Sequence, residues 1–440
     1  MNRTITNIFS SSPYPTAIQT SLEALATIAR FDSSGRFVAA GRNDGLAVIW
    51  DLDTKGPVRW LEGHVKGITS VDWSKNSRYV LTSSKDWNVI IWDLASETDP
   101  PRRQATIRFD VVVLSASFHP KNSKIILVVL NSYEAFLVDL RKEYKGRYEL
   151  CEYQEDEEWR VGVTTARFDP SGRHIFAGTT QGHILVFNTR TKTIVARHKV
   201  AGLGAGVTFR GFEFTPSGRR LATNSSDRVL RQLSLPLYPT PTTDDYIESE
   251  LEPSLRFHDP ISKVSWHAMC YSPDGQWLAG GAADDASHKI YIWELAREGL
   301  LANTLDGGRE LLTYVHWHPS KPVIASVTNQ GNIFIWHTPT TERWGAFAGG
   351  FTEVDENVDY EEREDEFDIE DEAEIARRKM LEEEDHVDIE TEIVGEAVNG
   401  NADHAKMNSD QDEDALWALE EPEDDDKEWR LKVLTEDDEY

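Results

Sequence analysis

The sequence has few of the features that mark secreted or membrane proteins. It contains two cysteines among 440 residues, too few for a disulfide framework or a structural zinc site. Its longest aliphatic run, residues 125–130, is far shorter than the ~20 residues that a membrane-spanning helix needs. No apolar stretch typical of a secretory signal follows Met1. These absences predict a soluble protein of a reducing, intracellular compartment, without a membrane partner.

Motifs of catalysis are also missing. There is no G-x-S-x-G elbow, no glycine-rich phosphate loop with a lysine, and no cysteine–histidine arrangement. His316 and His318 are the only tempting metal pair, but His318 precedes Pro319 at a turn position that the other repeats fill with His, Asp, Thr or Ser. We therefore expect no enzyme, no cofactor bound by this chain and no metal site.

Net charge is absent from most of the chain and concentrated at its end. The whole sequence has 46 basic and 76 acidic residues, a net charge of −30. Residues 351–440 hold 38 of the acidic and 8 of the basic residues, so residues 1–350 hold 38 of each. A neutral body thus precedes an acidic tail, which we expect to be largely disordered because it is too charged to bury itself.

The body contains a pattern that recurs seven times. Each unit has an aromatic residue, a short turn, an apolar strand, a second turn and a second strand, which ends 18 to 22 residues after the aromatic. The first aromatic residues are Phe31, Trp73, Phe118, Phe168, Phe214, Tyr271 and Trp317. Seven units of roughly 45 residues predict an all-β fold, a seven-bladed β-propeller.

The second and seventh units resemble WD40 repeats most closely. In the second, His64, Thr82, Asp86 and Trp92 stand where a WD40 blade keeps its hydrogen-bonded histidine, hydroxyl, aspartate and tryptophan. The resemblance implies a WD40 propeller over residues 25–340.

The connections between the repeats are of several kinds. Residues 1–24 are expected to form an N-terminal arm whose end supplies the outer strand that closes the ring. Residues 141–161 and 234–256 are polar, charged or interrupted by proline, and we interpret both as surface loops. The basic residues of the body are expected to form a mixed, solvated surface, with nucleic-acid binding as the alternative.

The tail begins with apolar side chains spaced through acidic sequence. These are Trp344, Phe347, Phe351, Val354, Tyr360, Phe367 and Ile369. Such a segment favours a linear motif that orders on a partner with a basic groove. Residues 400–440 are interpreted as a solvated acidic segment.

One run of the tail, from Glu356 to Glu370, resembles the hinge of the retinoblastoma-binding protein 5 family. This family is the WD40 subunit of COMPASS-type histone methyltransferase complexes. The resemblance implies a nuclear, non-catalytic scaffold and activator of methylation at the fourth residue of the histone H3 tail, with S-adenosylmethionine bound by the catalytic partner. It divides the tail into a hinge segment, residues 341–370, and an acidic remainder, residues 371–440.

The resemblance also implies binding residues. Contacts to a SET-domain methyltransferase would come from Trp344, Phe347, Phe351, Glu353 and Val354. A SPRY-domain subunit would bind Tyr360, Glu361, Glu362, Glu364, Asp365, Glu366, Phe367 and Asp368. A second WD40 propeller subunit would bind Val387, Asp388 and Ile389, and nucleosomal DNA would face Arg228 and Arg309.

A rival hypothesis assigns the chain to another class. Propellers also serve as substrate receptors of ubiquitin ligases, in which the blades bind the partner and the tail is dispensable. Binding by residues 342–370 alone would favour the methyltransferase subunit over the ligase receptor.

Overall fold

The computed structural model describes residues 13–96, 98–152, 161–204, 206–238, 247–259, 264–283, 287–339 and 417–418. These residues form 29 β-strands and one 3-10 helix, Leu295–Arg297. The strands are β1 (Ala17–Glu23), β2 (Ala26–Phe31), β3 (Phe37–Arg42), β4 (Ala47–Asp51), β5 (Gly56–Leu61), β6 (Ile68–Trp73), β7 (Tyr79–Ser84), β8 (Asn88–Asp93), β9 (Arg102–Arg108), β10 (Val113–His119), β11 (Asn122–Leu130), β12 (Ala135–Asp139), β13 (Gly146–Glu149), β14 (Val163–Phe168), β15 (His174–Thr179), β16 (His183–Asn188), β17 (Ile194–Val200), β18 (Phe209–Phe214), β19 (Arg220–Ser225), β20 (Leu230–Ser234), β21 (Ile247–Leu251), β22 (Pro253–Phe257), β23 (Ser265–Tyr271), β24 (Trp277–Ala283), β25 (Lys289–Glu294), β26 (Leu300–Asp306), β27 (Leu312–Trp317), β28 (Ile324–Thr328) and β29 (Asn332–His337).

The strands form seven sheets, so the predicted seven-bladed propeller is confirmed. Blades one, two and three are β2 to β5, β6 to β9 and β10 to β13. Blade four is β14 to β17 with β21, blade five β18 to β20 with β22, blade six β23 to β26, and blade seven β27 to β29 with β1. The first strand of each blade lines a central channel.

Apolar clusters between neighbouring blades hold the ring together. One cluster joins Ile49 and Leu61 of blade one to Val71, Ile90 and Trp92 of blade two, all of them almost fully buried. The β-branched and aromatic residues of strands such as β8 suit this packing, because they fit a pleated surface that is buried on both faces. Each such side chain contributes about 1.5–3 kcal/mol on burial.

The ring is closed by pairing the two ends of the repeat region. Strand β1 runs antiparallel to β29, with Ile18 opposite Trp336 and Leu22 opposite Ile333. The Thr338 hydroxyl also donates to the carbonyl of Tyr14 at 3.0 Å. Because β1 covers β29 inside the last blade, the closure joins the start of the chain to the final blade.

Three strands lie within the stretches that the sequence predicted as surface loops, so the prediction was wrong for the residues of these strands. Strand β13 is the outer strand of blade three, and β22 is the outer strand of blade five. Strand β21 adds a fifth strand to blade four, parallel to β17. Outer strands face solvent on one side and therefore tolerate polar residues, so their composition resembles that of a loop.

The antiparallel order of the strands gives the propeller two distinct faces. We call the face with the turns between the first and second strands of each blade the AB face, and it also carries the turns between the third and fourth strands. The opposite BC face carries the turns between the second and third strands and the loops that connect blades. Each residue position along a blade therefore fixes the face on which it lies.

Candidate functional site

A chain of hydrogen bonds links the four predicted tetrad residues of blade two. His64 Nδ1 lies 3.0 Å from an Asp86 carboxylate oxygen, and its Nε2 lies 2.8 Å from Thr82 Oγ1. Trp92 Nε1 donates to the same hydroxyl at 2.9 Å. The carboxylate accepts from Nδ1, so Nε2 is free to accept the Thr82 proton. The network satisfies buried polar groups inside the blade.

Blade seven contains a similar network, but its histidine comes from an unexpected position in the sequence. Trp336 Nε1 donates to Ser326 Oγ at 2.8 Å, and the same hydroxyl lies 2.8 Å from His288 Nε2. Gly308 stands 18 residues before Ser326, where His64 stands relative to Thr82. A side chain at Gly307, beside it, would overlap the His288 ring, so the glycine leaves room for a histidine from blade six.

The buried histidines of the blades are held neutral. Burial lowers the pKa of His64, although Asp86 opposes the shift. Burial lowers the pKa of His288 to about 4 and that of His119 to about 4. Each ring bonds to another residue of the propeller through at least one nitrogen, and these histidines therefore stabilise the fold.

The two histidines considered for a metal also have structural partners. Nδ1 of His316 accepts the backbone N–H of Phe31 at 3.3 Å, and Nδ1 of His318 accepts the backbone N–H of Lys321 at 3.0 Å. The described residues contain no group of three potential metal ligands. His318 instead packs over Gly35, where a Cβ would lie 2.1 Å from the ring. His119 covers Gly172 of blade four in the same way.

Two ion pairs occupy the middle of the central channel. Arg30 Nη1 lies 2.9 Å from Asp72, and Arg167 Nη2 donates to Glu213 at 2.9 Å. A cavity of about 350 Å³ opens on the AB side, and one of about 580 Å³ opens on the BC side. Arg30, Arg167 and Glu213 line both cavities, so these side chains stand between them.

Within each of the two ion pairs, the positive and negative charges neutralise one another. Burial works against the charged form of Arg30, yet its attraction to Asp72 raises the pKa. Burial raises the pKa of Glu213, and Arg167 opposes that shift. Burial also raises the pKa of the Cys270 thiol. The two ion pairs therefore place balanced charges between the two cavities, and each pair joins neighbouring blades.

Arg228 and Arg309 are exposed and lie on the same face of the propeller. Arg228 is in the turn between β19 and β20, and Arg309 is in the loop between β26 and β27. Both positions belong to the BC face, which also bears exposed Lys66, Lys85 and Arg210. The strand topology thus places both arginines on the BC face, which the sequence alone could not show.

The remaining predicted binding residues lie outside the described residues. They are Trp344, Phe347, Phe351, Glu353, Val354, Tyr360, Glu361, Glu362, Glu364, Asp365, Glu366, Phe367, Asp368, Val387, Asp388 and Ile389. The structure does describe Trp417 and Ala418, which lie against blade three. The interpretation of residues 400–440 as a solvated segment is wrong for these two residues, because Ala418 is buried and Trp417 packs on the same apolar cluster. The tryptophan within an acidic stretch is the signal that could have indicated the contact.

The fold and its repeats define a WD40 propeller. The family model "WD domain, G-beta repeat" matches residues 19–51, 55–93 and 250–294. Among the described residues, no helix combines the length and apolar content needed to cross a membrane.

Similar proteins define the family more narrowly. The "Retinoblastoma-binding protein 5 homolog" of Drosophila melanogaster is 36% identical over 82% of this chain and 70% of its own length. The "Set1 complex component swd1" of Schizosaccharomyces pombe is 35% identical over 85% of this chain and 91% of its own length. The chain belongs to the retinoblastoma-binding protein 5 family, as the tail motif indicated.

A solved structure supports the same assignment. The crystal structure of the Cps50 (Swd1) β-propeller domain of Myceliophteria thermophila matches with a TM-score of 0.65 and 31% sequence identity. The match covers 74% of this chain and all of the solved chain.

Proposed function

We propose that this chain is a non-catalytic scaffold and activator subunit of a nuclear, COMPASS-type histone H3 methyltransferase complex. The proposal rests on how far along the chain the sequence similarity extends. The fission-yeast relative, named a Set1 complex component, matches 85% of the 440 residues, or about 374. The last strand of the propeller ends at His337. The similarity therefore continues into the acidic tail, where the predicted SET-domain and SPRY-domain motifs lie.

The propeller would act as a rigid platform and the tail as the connecting element. Residues 344–355 would pack on the SET domain of the catalytic subunit, and residues 356–368 would dock into a basic pocket of the SPRY-domain subunit. Acidic side chains steer such an encounter, while a few desolvated anchors, such as Tyr360 and Phe367, hold it. One continuous segment would thus contact two partners.

Activation follows if the tail binds one arrangement of the catalytic domain better than the others. A domain whose active arrangement is only partly populated gains rate when a ligand favours that arrangement. The product would be methylation of the lysine at the fourth position of the H3 tail, with S-adenosylmethionine bound by the partner.

Two further contacts complete the proposal. Val387, Asp388 and Ile389 would engage a second WD40 propeller subunit. Arg228 and Arg309 would face nucleosomal DNA, which is supported by their exposure on one face of the propeller beside other basic residues.

A charge reversal in the full chain tests the scaffold role. Changing Glu361, Glu362 and Glu364 together to lysine should weaken co-purification with the SPRY-domain subunit by at least roughly tenfold. The reason is that the basic pocket would repel the positively charged lysines. The matched control changes Glu382, Glu383 and Glu384 to lysine, an equal charge change outside the predicted motif. Equal retention of the partner by both variants would contradict the proposal, and the ligase-receptor hypothesis predicts that outcome.

A further inference from the structure

Two residues of the acidic tail occupy a groove on the propeller. The groove lies between blades three and four, beside the turn that joins β12 to β13, and we call it the blade-three groove. Ala418 is 3% exposed and belongs to the apolar cluster that contains Leu137 and Phe187. Trp417 is partly buried against the same cluster. The groove thus receives apolar side chains from a segment far away in sequence.

Arg141 makes two kinds of contact with Trp417. Its Nη1 donates to the Trp417 carbonyl oxygen at 2.8 Å. Its guanidinium carbon lies 4.0 Å from the centroid of the indole ring. Tryptophan is the aromatic side chain that attracts a cation most strongly, and arginine can pair with its ring face. The Tyr144 ring packs edge-on against the Trp417 ring, with 6.1 Å between the two ring centroids.

The propeller itself holds Arg141 in position. Asp139 accepts hydrogen bonds from Arg141 Nε at 3.1 Å and from Nη2 at 2.7 Å. The Asp139 side chain is 1% exposed, and that of Arg141 is 15% exposed. The guanidinium also lies 4.8 Å from the Tyr144 ring centroid. All three residues belong to blade three, so the site is preorganised for a ligand.

The two sequence segments that meet at this contact carry opposite net charges. Residues 410–426 contain ten acidic residues and no basic residue. On the propeller side, residues 141–148 contain four basic residues and one acidic residue. Such complementarity increases the rate of encounter and disfavours basic or neutral competitors. The groove therefore matches an acidic segment built around a tryptophan.

We propose that the blade-three groove is a docking site for acidic, tryptophan-containing segments, and that Trp417 and Ala418 of the same chain occupy it. The described chain thus meets the propeller at two places far apart in sequence, in the last blade up to Pro339 and in the blade-three groove at Trp417. A similar segment of a partner would have to displace Trp417.

A peptide competition in the full-length chain tests the proposal. The probe is a labelled peptide of residues 408–426, and the variant combines Trp417→Ala with Ala418→Asp, both in the tail, so the propeller remains folded. We expect this variant to bind the peptide at least roughly tenfold more tightly than the wild-type chain, whose groove is already filled. Adding Tyr144→Ala, at an exposed turn, should weaken that binding several-fold.

Controls separate the specific contact from charge alone. A peptide with Trp417→Ala keeps every charge and should bind at least roughly tenfold more weakly. A full-length chain with Trp429→Ala, another tail tryptophan, should exclude the peptide as the wild type does. Equal peptide binding by wild type and the double variant would overturn the proposal. So would hydrogen-exchange protection of residues 141–150 that rises with protein concentration, because a second copy would then supply Trp417.

Discussion

His288 Nε2 lies 2.8 Å from Ser326 Oγ, so a histidine of blade six completes the polar network of blade seven. In blade two the corresponding histidine, His64, comes from the loop that enters the blade. In each network, the hydroxyl that bonds the histidine also accepts a hydrogen bond from a tryptophan Nε1. The requirement is therefore a neutral ring nitrogen beside the hydroxyl, whichever part of the chain supplies it.

The hydroxyl at the centre of the blade-two network should be important for stability. Thr82→Val removes the group that bonds both His64 and Trp92, and it leaves two buried nitrogens without a partner. We expect the free energy of unfolding to fall by about 2–4 kcal/mol, measured by urea denaturation. Thr106→Val, the same change at an exposed position of β9, should alter it by less than about 0.5 kcal/mol. Equal effects would show that the network adds nothing.

Stability should fall as the solution becomes acidic. The pKa values of His119 and His288 are lowered by burial to about 4 in the folded chain, from an ordinary value of 6.5. Below pH 6.5 the unfolded chain binds protons that the folded chain does not, so stability is lost as the pH falls toward 4. Each histidine accounts for about 3 kcal/mol of that loss.

Urea denaturation between pH 4 and pH 7 measures this effect. His288→Gln should flatten the dependence of the unfolding free energy on pH by about 3 kcal/mol over that range. The control is His258→Gln, at an exposed position, which should keep the wild-type slope. An unchanged slope in His288→Gln would mean that burial does not lower the pKa of this ring in the folded chain.

The BC face should contribute to nucleosome binding. Arg228→Glu combined with Arg309→Glu should weaken binding and reduce the slope of log affinity against log salt by about 2, one for each lost phosphate contact. Lys55→Glu combined with Arg102→Glu changes the charge equally on the AB face and should leave the slope unchanged. Gel-shift titrations at several salt concentrations distinguish the two. Matching slopes would contradict a DNA contact at Arg228 and Arg309.

Much of the propeller could be predicted from the sequence because its repeats are local. His64 and Thr82 are 18 residues apart within one blade, and such a short spacing is visible in a single sequence. The turn glycines could be predicted for a similar reason. Gly172 has a φ of 78°, a conformation that favours glycine, and it follows proline in a recognisable turn.

Other parts depend on contacts that a local pattern does not record. The outer strands β13 and β22 are half exposed, so they lack the apolar alternation that marks a strand. His288 pairs with Ser326 across a boundary between blades. Trp417 contacts Arg141 over a separation of 276 residues. In each case the partner comes from a distant part of the chain or the packing involves one face only.

The most direct test of the account is the methyltransferase activity of the reconstituted complex on nucleosomes with Phe351→Ala in this chain. We expect the rate to fall at least roughly tenfold while the complex still assembles, because the predicted SET-domain anchor is lost and the active arrangement is less populated. Trp429→Ala, an aromatic change elsewhere in the tail, should leave the rate unaltered. Full activity of an assembled complex containing Phe351→Ala would contradict the role of this chain as an activator.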